Sequence, residues 1–183
     1  QEVHRHRHRQ LAHEVAEEDQ AALQHGDQDH PIGAGRRHLA AQLALSSGQQ
    51  EDAERRLREL IGVAPGPAGA MNDLAWILAS NGEDLDTALR LAERAHQLQA
   101  SADVTDTLGY VHLRRGDAAA AVKRFEEALA LRPKDPTLRY HLGLALAKTG
   151  NREKAMAALR EAIDLGPFPE SDAAKQEIAR LEQ

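Results

Sequence analysis

Three histidines near the start of the chain are the residues best suited to binding a metal ion. They form the run His4-x-His6-x-His8, and imidazole nitrogen is a common ligand of zinc and nickel. Residues two apart point in different directions on a helix, so only an extended segment would align the three rings. Arg5 and Arg7 would also place positive charge beside the ion. We therefore predict a solvated segment and no physiological metal site.

Residue patterns typical of catalysis do not stand out elsewhere in the sequence. The chain has no cysteine, and neither a Ser-His-Asp arrangement nor a carboxylate pair is evident. The glycines of Gly62-x-x-x-Gly66 are not followed by the Gly-Lys-Ser/Thr of a phosphate-binding loop. We predict a protein that is not an enzyme and uses no cofactor.

Composition favours close-packed helices. Only 3% of the 183 residues are aromatic, so the core must be built from Leu, Ala, Ile and Val. The net charge of −6 argues against nucleic acid or an anionic membrane surface as the main partner. No apolar run approaches the ~20 residues needed to cross a bilayer. A soluble protein is predicted, and the absence of cysteine is compatible with both the cytoplasm and the periplasm.

Glycines recur along the chain at one fixed interval. Gly48, Gly82, Gly116 and Gly150 are each 34 residues apart. A period of this length is typical of a stacked repeat array, which offers an extended surface to partners. Such an array must position whatever functional residues the chain carries.

Residues 102–135 show the repeating unit most clearly. Two amphipathic helical stripes flank Arg115-Gly116-Asp117, where Gly116 is predicted to end the first helix and Asp117 to cap the second. Gly109 lies in the middle of the first helix, where glycine costs about 1 kcal/mol relative to alanine. We therefore expect the second helix to cross closely at Gly109. In residues 68–101 the turn is one residue longer, which moves the second-helix stripe to Ala88, Ala92 and Ala95.

These patterns resemble the tetratricopeptide repeat (TPR) family, bacterial type. The motif reads Leu108-Gly109, Gly116, Ala121, Phe125, Ala128 and Pro133 in one copy, and Leu142-Gly143, Gly150, Ala155, Leu159, Ala162 and Pro167 in the next. The resemblance implies an all-α, right-handed α-α superhelix of three to four helix-turn-helix repeats. The expected repeats are 34–67, 68–101, 102–135 and 136–169, followed by a capping helix at 170–183.

Residues 1–33 differ from the repeats, with alternating Arg and His followed by many Gln, Glu and Asp. Three interpretations remain open at this stage. The segment is the worn second helix of an earlier repeat, a disordered tail, or sequence that is not native.

The resemblance also indicates where a ligand would bind. First helices of TPR proteins line the concave surface, and the matching positions here are Asn72, Trp76, Asp106, Tyr110, Tyr140 and Leu144. The chain's one Trp and both Tyr are among them, and such side chains are favoured at interfaces. The alternative is that Trp76 and Tyr110 pack between repeats and are only half exposed. His112 is expected to be a partly buried structural residue.

Two functional hypotheses follow from this resemblance. In the first, the chain is a protein-interaction module that binds a peptide or protein segment in its concave groove, as a scaffold or adaptor of a bacterial complex. In the second, it is a fragment of a longer TPR array that self-associates or acts as a spacer. Phrases such as Asn72-Asp73-Leu74-Ala75-Trp76 resemble bacterial TPR proteins, many of them associated with the envelope or with exopolysaccharide export.

Overall fold

The fold consists of helices joined by short turns. A computed structural model describes residues 31–62 and 66–183, and the His4, His6 and His8 run lies outside them. The helices in these two ranges are α1 (Pro31–Ser46), α2 (Gln50–Gly62), α3 (Ala68–Asn81), α4 (Leu85–Leu98), α5 (Ala102–Arg115), α6 (Ala118–Leu131), α7 (Pro136–Lys148), α8 (Arg152–Asp164) and α9 (Ser171–Leu181). No described residue is in a strand, and the predicted all-α class is confirmed.

The described residues divide into two compact units, the first ending at residue 77 and the second spanning residues 78–183, with the boundary inside α3. In the described part of the first unit, α1 packs against α2, and Ala41, Ala53 and Leu57 are fully buried. Helix α1 begins at Pro31 rather than at residue 34, where the first repeat was predicted to start. Proline suits this place because the first turn of a helix does not need its missing N–H.

In the second unit, each helix from α4 to α9 packs against the next one along the chain. We call α1, α3, α5 and α7 the first helices of their repeats, and α2, α4, α6 and α8 the second helices. Among the helices that the structure describes, none is long and apolar enough to cross a bilayer.

The turn at Gly116 explains the fixed interval between glycines. Gly116 ends α5 with a φ of 90°, a left-handed conformation in which a side chain would be strained. Its N–H donates to the carbonyls of His112 and Leu113. Gly48, Gly82 and Gly150 also have a positive φ, of 78°, 73° and 81°, at the corresponding turns. Asp117 occupies the N-cap position of α6, but its side chain makes no capping hydrogen bond, so that part of the prediction was wrong.

Close packing at Gly109 is confirmed. A Cβ added to Gly109 would lie 2.7 Å from Cε1 of Phe125, on the second helix of the same repeat. Gly143 meets Leu159 in the same way, since its added Cβ would lie 2.7 Å from Cγ of Leu159. Glycine therefore stands at these positions because the two helices of each repeat approach too closely for a side chain.

The register shift predicted for residues 68–101 is also observed. Helix α4 starts at Leu85 after a longer turn, and its buried residues are Ala88, Ala92 and Ala95. Asp84, at φ 34°, caps this helix by accepting a hydrogen bond from the N–H of Thr87.

Helix α9 covers the last repeat. Ala174 and Leu181 of α9 are buried in one apolar cluster with Ala155, Ala158 and Leu159 of α8. Ile178 packs against the same cluster, as the apolar stripe predicted. The apolar surface that α8 would otherwise expose at the end of the stack is therefore removed from water.

Candidate peptide-binding face

A buried histidine links two consecutive first helices of the second unit. His141 on α7 is only 4% exposed, and its Nδ1 lies 2.7 Å from Oδ1 of Asp106 on α5. Because a carboxylate accepts hydrogen bonds, the imidazole carries its proton on Nδ1. A polar group buried without a partner would cost about 1–3 kcal/mol, which this bond avoids. Asp106 and His141 therefore hold α5 against α7.

Aromatic rings surround this histidine. The ring centroids of Tyr110, Phe125 and Tyr140 lie 5.7, 5.5 and 5.7 Å from the centroid of His141. These separations are typical of favourable ring contacts. Phe125 is fully buried, whereas Tyr110 and Tyr140 are half-buried. We call Asp106, Tyr110, Phe125, Tyr140 and His141 the His141 cluster; it exposes part of two tyrosines from consecutive first helices.

Tyr140 is held at a second point by Phe168, whose ring centroid is 6.0 Å away. Among the described residues, no group forms a hydrogen bond with the Tyr140 hydroxyl. Burial, and then the negative charges of Glu170 and Glu177, raise the pKa of Tyr140 above its ordinary value of 10.0. The hydroxyl is therefore neutral at physiological pH and lies in acidic surroundings.

Tyr110 is positioned by Arg114, one turn further along α5. Nη1 of Arg114 lies 3.1 Å from the Tyr110 hydroxyl, and Cζ lies 5.8 Å from the ring centroid, within the range of a cation–π contact. The same Nη1 donates to the carbonyl of Ser80 over 2.9 Å. Arg114 thus anchors the Tyr110 ring to the carboxyl-terminal end of α3.

The first unit contains a similar pair between its own first helices. Nε2 of His38 on α1 donates to Oδ2 of Asp73 on α3 over 2.8 Å, and Gln42 donates to the same oxygen over 3.2 Å. Burial alone would raise the pKa of Asp73, but the hydrogen bond and charge of His38, helped by Gln42 and Asn72, bring the pKa below its ordinary value. Asp73 is therefore a carboxylate held in its ionised form.

The structure distributes the six predicted site residues over both units. Asp106, Tyr110 and Tyr140 meet in the His141 cluster, and Leu144 is half-buried on α7. Asn72 and Trp76 lie on α3 in the first unit, where Trp76 is 37% exposed and Asn72 is half-buried. Asp106 was predicted to line the ligand-binding surface, but its side chain is only 14% exposed and is bonded to His141. Tyr110 is half-buried, as the packing alternative proposed.

Sequence reasoning identified one structural histidine and missed a second, more buried one. His112 is partly buried, as predicted, and its Nδ1 lies 3.7 Å from Oδ2 of Asp117. The more buried residue is His141, whose partner was assigned to the groove. The sequence does contain a signal for this pair. His38 and Asp73 are 35 residues apart, as are Asp106 and His141, and a recurring His–Asp spacing one residue longer than the repeat indicates a contact between successive repeats.

The described residues do not gather the side chains that a metal site needs. No group of three or more His, Cys, Asp or Glu side chains in residues 31–62 and 66–183 could hold a metal ion. The prediction made for His4, His6 and His8 falls outside these ranges and stays a prediction.

Comparison with protein families identifies the fold. The tetratricopeptide repeat model matches residues 38–103 and 107–168. The chain belongs to the tetratricopeptide repeat family. A TPR repeat-containing protein of Pseudomonas aeruginosa is 43% identical over 58 residues, which are 32% of this chain and 24% of that protein. The match thus spans about a quarter of the relative's length, and it is consistent with a bacterial origin.

Solved TPR structures have the same arrangement of helices. A MamA fragment from Desulfovibrio magneticus RS-1 is 25% identical and has a TM-score of 0.67, covering 85% of this chain and 84% of its own. TTC0263, a thermophilic TPR protein from Thermus thermophilus, is 20% identical with a TM-score of 0.67, covering 97% and 98%. YrrB, described as a TPR protein with an unusual peptide-binding site, is 19% identical with a TM-score of 0.69, covering 87% and 80%.

The TPR fold gives this chain a general class of function. TPR domains commonly mediate protein–protein interaction and are typically non-catalytic. Protein or peptide partners are therefore the kind that the fold suggests.

Proposed function

We propose that this chain is a protein-interaction module whose first-helix face binds a peptide or protein segment, and that it serves as a scaffold or adaptor in a bacterial complex. One observation carries the proposal. Tyr110 and Tyr140, from consecutive first helices, both contact the buried ring of His141 while each remains partly exposed. Two aromatic side chains with polar tips are thereby presented side by side at one surface.

Fixed aromatic rings favour binding because little conformational entropy is left to lose. Tyr110 is restrained by Arg114 and His141, and Tyr140 by His141 and Phe168. Immobilising a mobile side chain on binding costs about 0.5–1.5 kcal/mol, and a ring already held in place avoids most of that cost. Trp76, on the first helix α3, offers a further exposed ring in the first unit.

The charges near Tyr140 indicate which ligand side chains fit. Burial is the main cause of the raised pKa of Tyr140, and the negative charges of Glu170 and Glu177 near its hydroxyl add to it. A partner segment that carries Lys or Arg beside an apolar residue would pair with this surface, whereas an acidic segment would be repelled. Asp106 contributes by holding His141, so its role is to position the rings rather than to contact the ligand.

Capture of the partner tests this proposal. The wild-type chain and a Tyr110→Ala/Tyr140→Ala variant would be used as baits in lysates of the bacterium that encodes the chain. We expect a protein that is retained by the wild type and lost with the variant, while circular dichroism shows that both baits are folded. Equal retention by the two baits would contradict a role for this face.

Self-association is a second candidate, and one observation favours it. Leu98 and Leu131 are the last residues of α4 and α6, and Leu165 directly follows the end of α8; they are 47%, 59% and 40% exposed. An apolar side chain repeated at the same place in each repeat could form a contact between two copies. Sedimentation at increasing protein concentration tests it: Leu131→Ser should reduce any oligomer, and a wild-type chain that stays monomeric would exclude this candidate.

A further inference from the structure

A groove of about 600 Å³ lies in the second unit, and none of the residues that line it belongs to the His141 cluster. The second helices α6 and α8 form its walls, and the first helix α7 between them forms its floor. Its volume is within the range of pockets that hold small ligands, about 300–1,000 Å³.

The surface of the groove is apolar in the middle. Leu142 and Leu146 of α7 form the floor, and the apolar side chains of the walls are mostly small, namely Ala119 and Val122 on α6 and Ala157 and Ala158 on α8. Small side chains on both walls let another helix approach closely, as alanine and glycine do at crossings within the repeats. An apolar groove with small side chains on its walls suits the apolar face of an amphipathic helix.

Charged side chains of opposite sign mark the two ends of the groove. Lys154 lies at one end, in the first turn of α8, and Glu126 lies at the other end with Arg139 and Glu161. Arg139 is already paired with Glu161 and with the carbonyl of Pro133. Among the described residues, neither Glu126 nor Lys154 has an ion-pair partner.

The spacing of these charges defines a pattern for the occupant. Lys154 and Glu161 are seven residues apart on α8, which corresponds to about 10 Å or two helical turns. Glu126 on α6 lies at the same end of the groove as Glu161. The residue 34 positions after Glu126, which takes the equivalent place in the next repeat, is Arg160, next to Glu161. An occupant with an acidic and a basic side chain two turns apart would meet both unpaired charges at once.

We propose that this groove binds an amphipathic α-helix of a partner protein, with small apolar residues on the buried face and one acidic and one basic side chain about two turns apart. The site lies between the second helices α6 and α8. Its lining does not include Tyr110, Tyr140 or Trp76. A chain with both surfaces can hold two different protein segments at the same time.

A synthetic helix tests the chemistry of the site directly. The probe carries alanines along one face, Glu in its first turn and Lys two turns later, because this order also stabilises an isolated helix. A cross-link on its opposite face keeps it helical, since short isolated helices are marginal in water. Binding to the full chain would be followed by fluorescence anisotropy. A control probe has Gln in place of both charged residues.

Two variants and two matched controls locate the binding. Ala157→Phe fills the groove from an exposed position and should weaken binding of the probe about tenfold or more. Ala130→Phe, at a position of α6 that does not line the groove, should leave it unchanged. Lys154→Gln should weaken binding about two- to fivefold, with no such loss for the Gln control probe or for Lys123→Gln.

Three results would overturn the proposal. They are an absence of saturable binding by the wild type, binding that Ala157→Phe leaves intact, and self-association of the wild type that Ala157→Phe abolishes. The last result would make a second copy of this chain the occupant. None of these outcomes bears on the first-helix face, whose test uses Tyr110 and Tyr140.

Discussion

Asp106 and His141 are 35 residues apart in the chain and are joined by a hydrogen bond of 2.7 Å. The bond connects the first helices of two successive repeats, and it lies beneath the two tyrosines that we propose as the contact surface. One interaction therefore serves both the stacking of the repeats and the positioning of the rings. The contribution of this hydrogen bond to the free energy of unfolding can be measured without knowing the partner.

Asp106→Ala should destabilise the protein by about 1–3 kcal/mol, because it leaves the buried imidazole of His141 without its acceptor. Urea unfolding followed by circular dichroism would give this value. Asp103→Ala is the matched control, since Asp103 on the same helix is exposed and pairs with Arg132 at the surface. Its cost should be at most about 1 kcal/mol. If the two variants lose equal stability, the buried pair does not hold α5 against α7.

Asp73 should make the stability of the protein depend on acid pH. Its pKa in the folded protein is lower than the ordinary value of 3.8, so its ionised form stabilises the folded state. This contribution is fully present above about pH 5 and is lost as the pH falls through the lower, folded pKa. The difference in unfolding free energy between wild type and Asp73→Asn should shrink over that range. A difference that stays constant down to about pH 2 would contradict the assignment.

Gly109→Ala should destabilise the protein although alanine is the better helix former. The new Cβ would lie 2.7 Å from the ring of Phe125, and such overpacking costs about 1–3 kcal/mol. Gly35→Ala is the matched control, because no atom lies within 4 Å of its added Cβ in helix α1. That variant should gain up to about 1 kcal/mol. Thermal unfolding of the two variants should therefore shift in opposite directions.

Removing residues 170–183 should expose the apolar surface that α9 covers on α8. We expect the melting temperature to fall by about 5 °C or more, or the protein to become less soluble. A chain that ends at Leu181 keeps the whole of α9 and serves as the control. An unchanged melting temperature and solubility after the longer deletion would show that α9 does not act as a cap.

The repeat architecture could be predicted because its determinants are local. A left-handed turn needs glycine at Gly116, and a close crossing needs glycine at Gly109, so both leave a visible mark on the sequence. The buried positions Ala88, Ala92 and Ala95 could be predicted for the same reason, because one extra residue in the turn shifts the apolar pattern of the whole following helix.

Whether Asp106 is exposed or bonded to His141 could not be predicted, because this depends on the contact between repeats. A carboxylate on a first helix is compatible with an exposed groove position and with a bond to the next repeat, and the helical pattern is the same in both cases. The choice is made by His141, whose position relative to α5 follows from how the two repeats stack. The same holds for the groove between α6 and α8, which exists only once the two helices are side by side.

The affinity of the captured partner for a Tyr140→Ala variant is the most direct test of the proposed function. Truncating a hot-spot residue costs about 2 kcal/mol or more, so, with Tyr140 as a hot spot of this surface, we expect the dissociation constant to rise about thirtyfold. Lys123→Ala, an exposed change on the second helix α6, should leave it within about twofold of wild type. Both variants must first be shown to be folded by circular dichroism. A folded Tyr140→Ala protein that binds the partner with wild-type affinity would contradict the claim that the first-helix face is the binding surface.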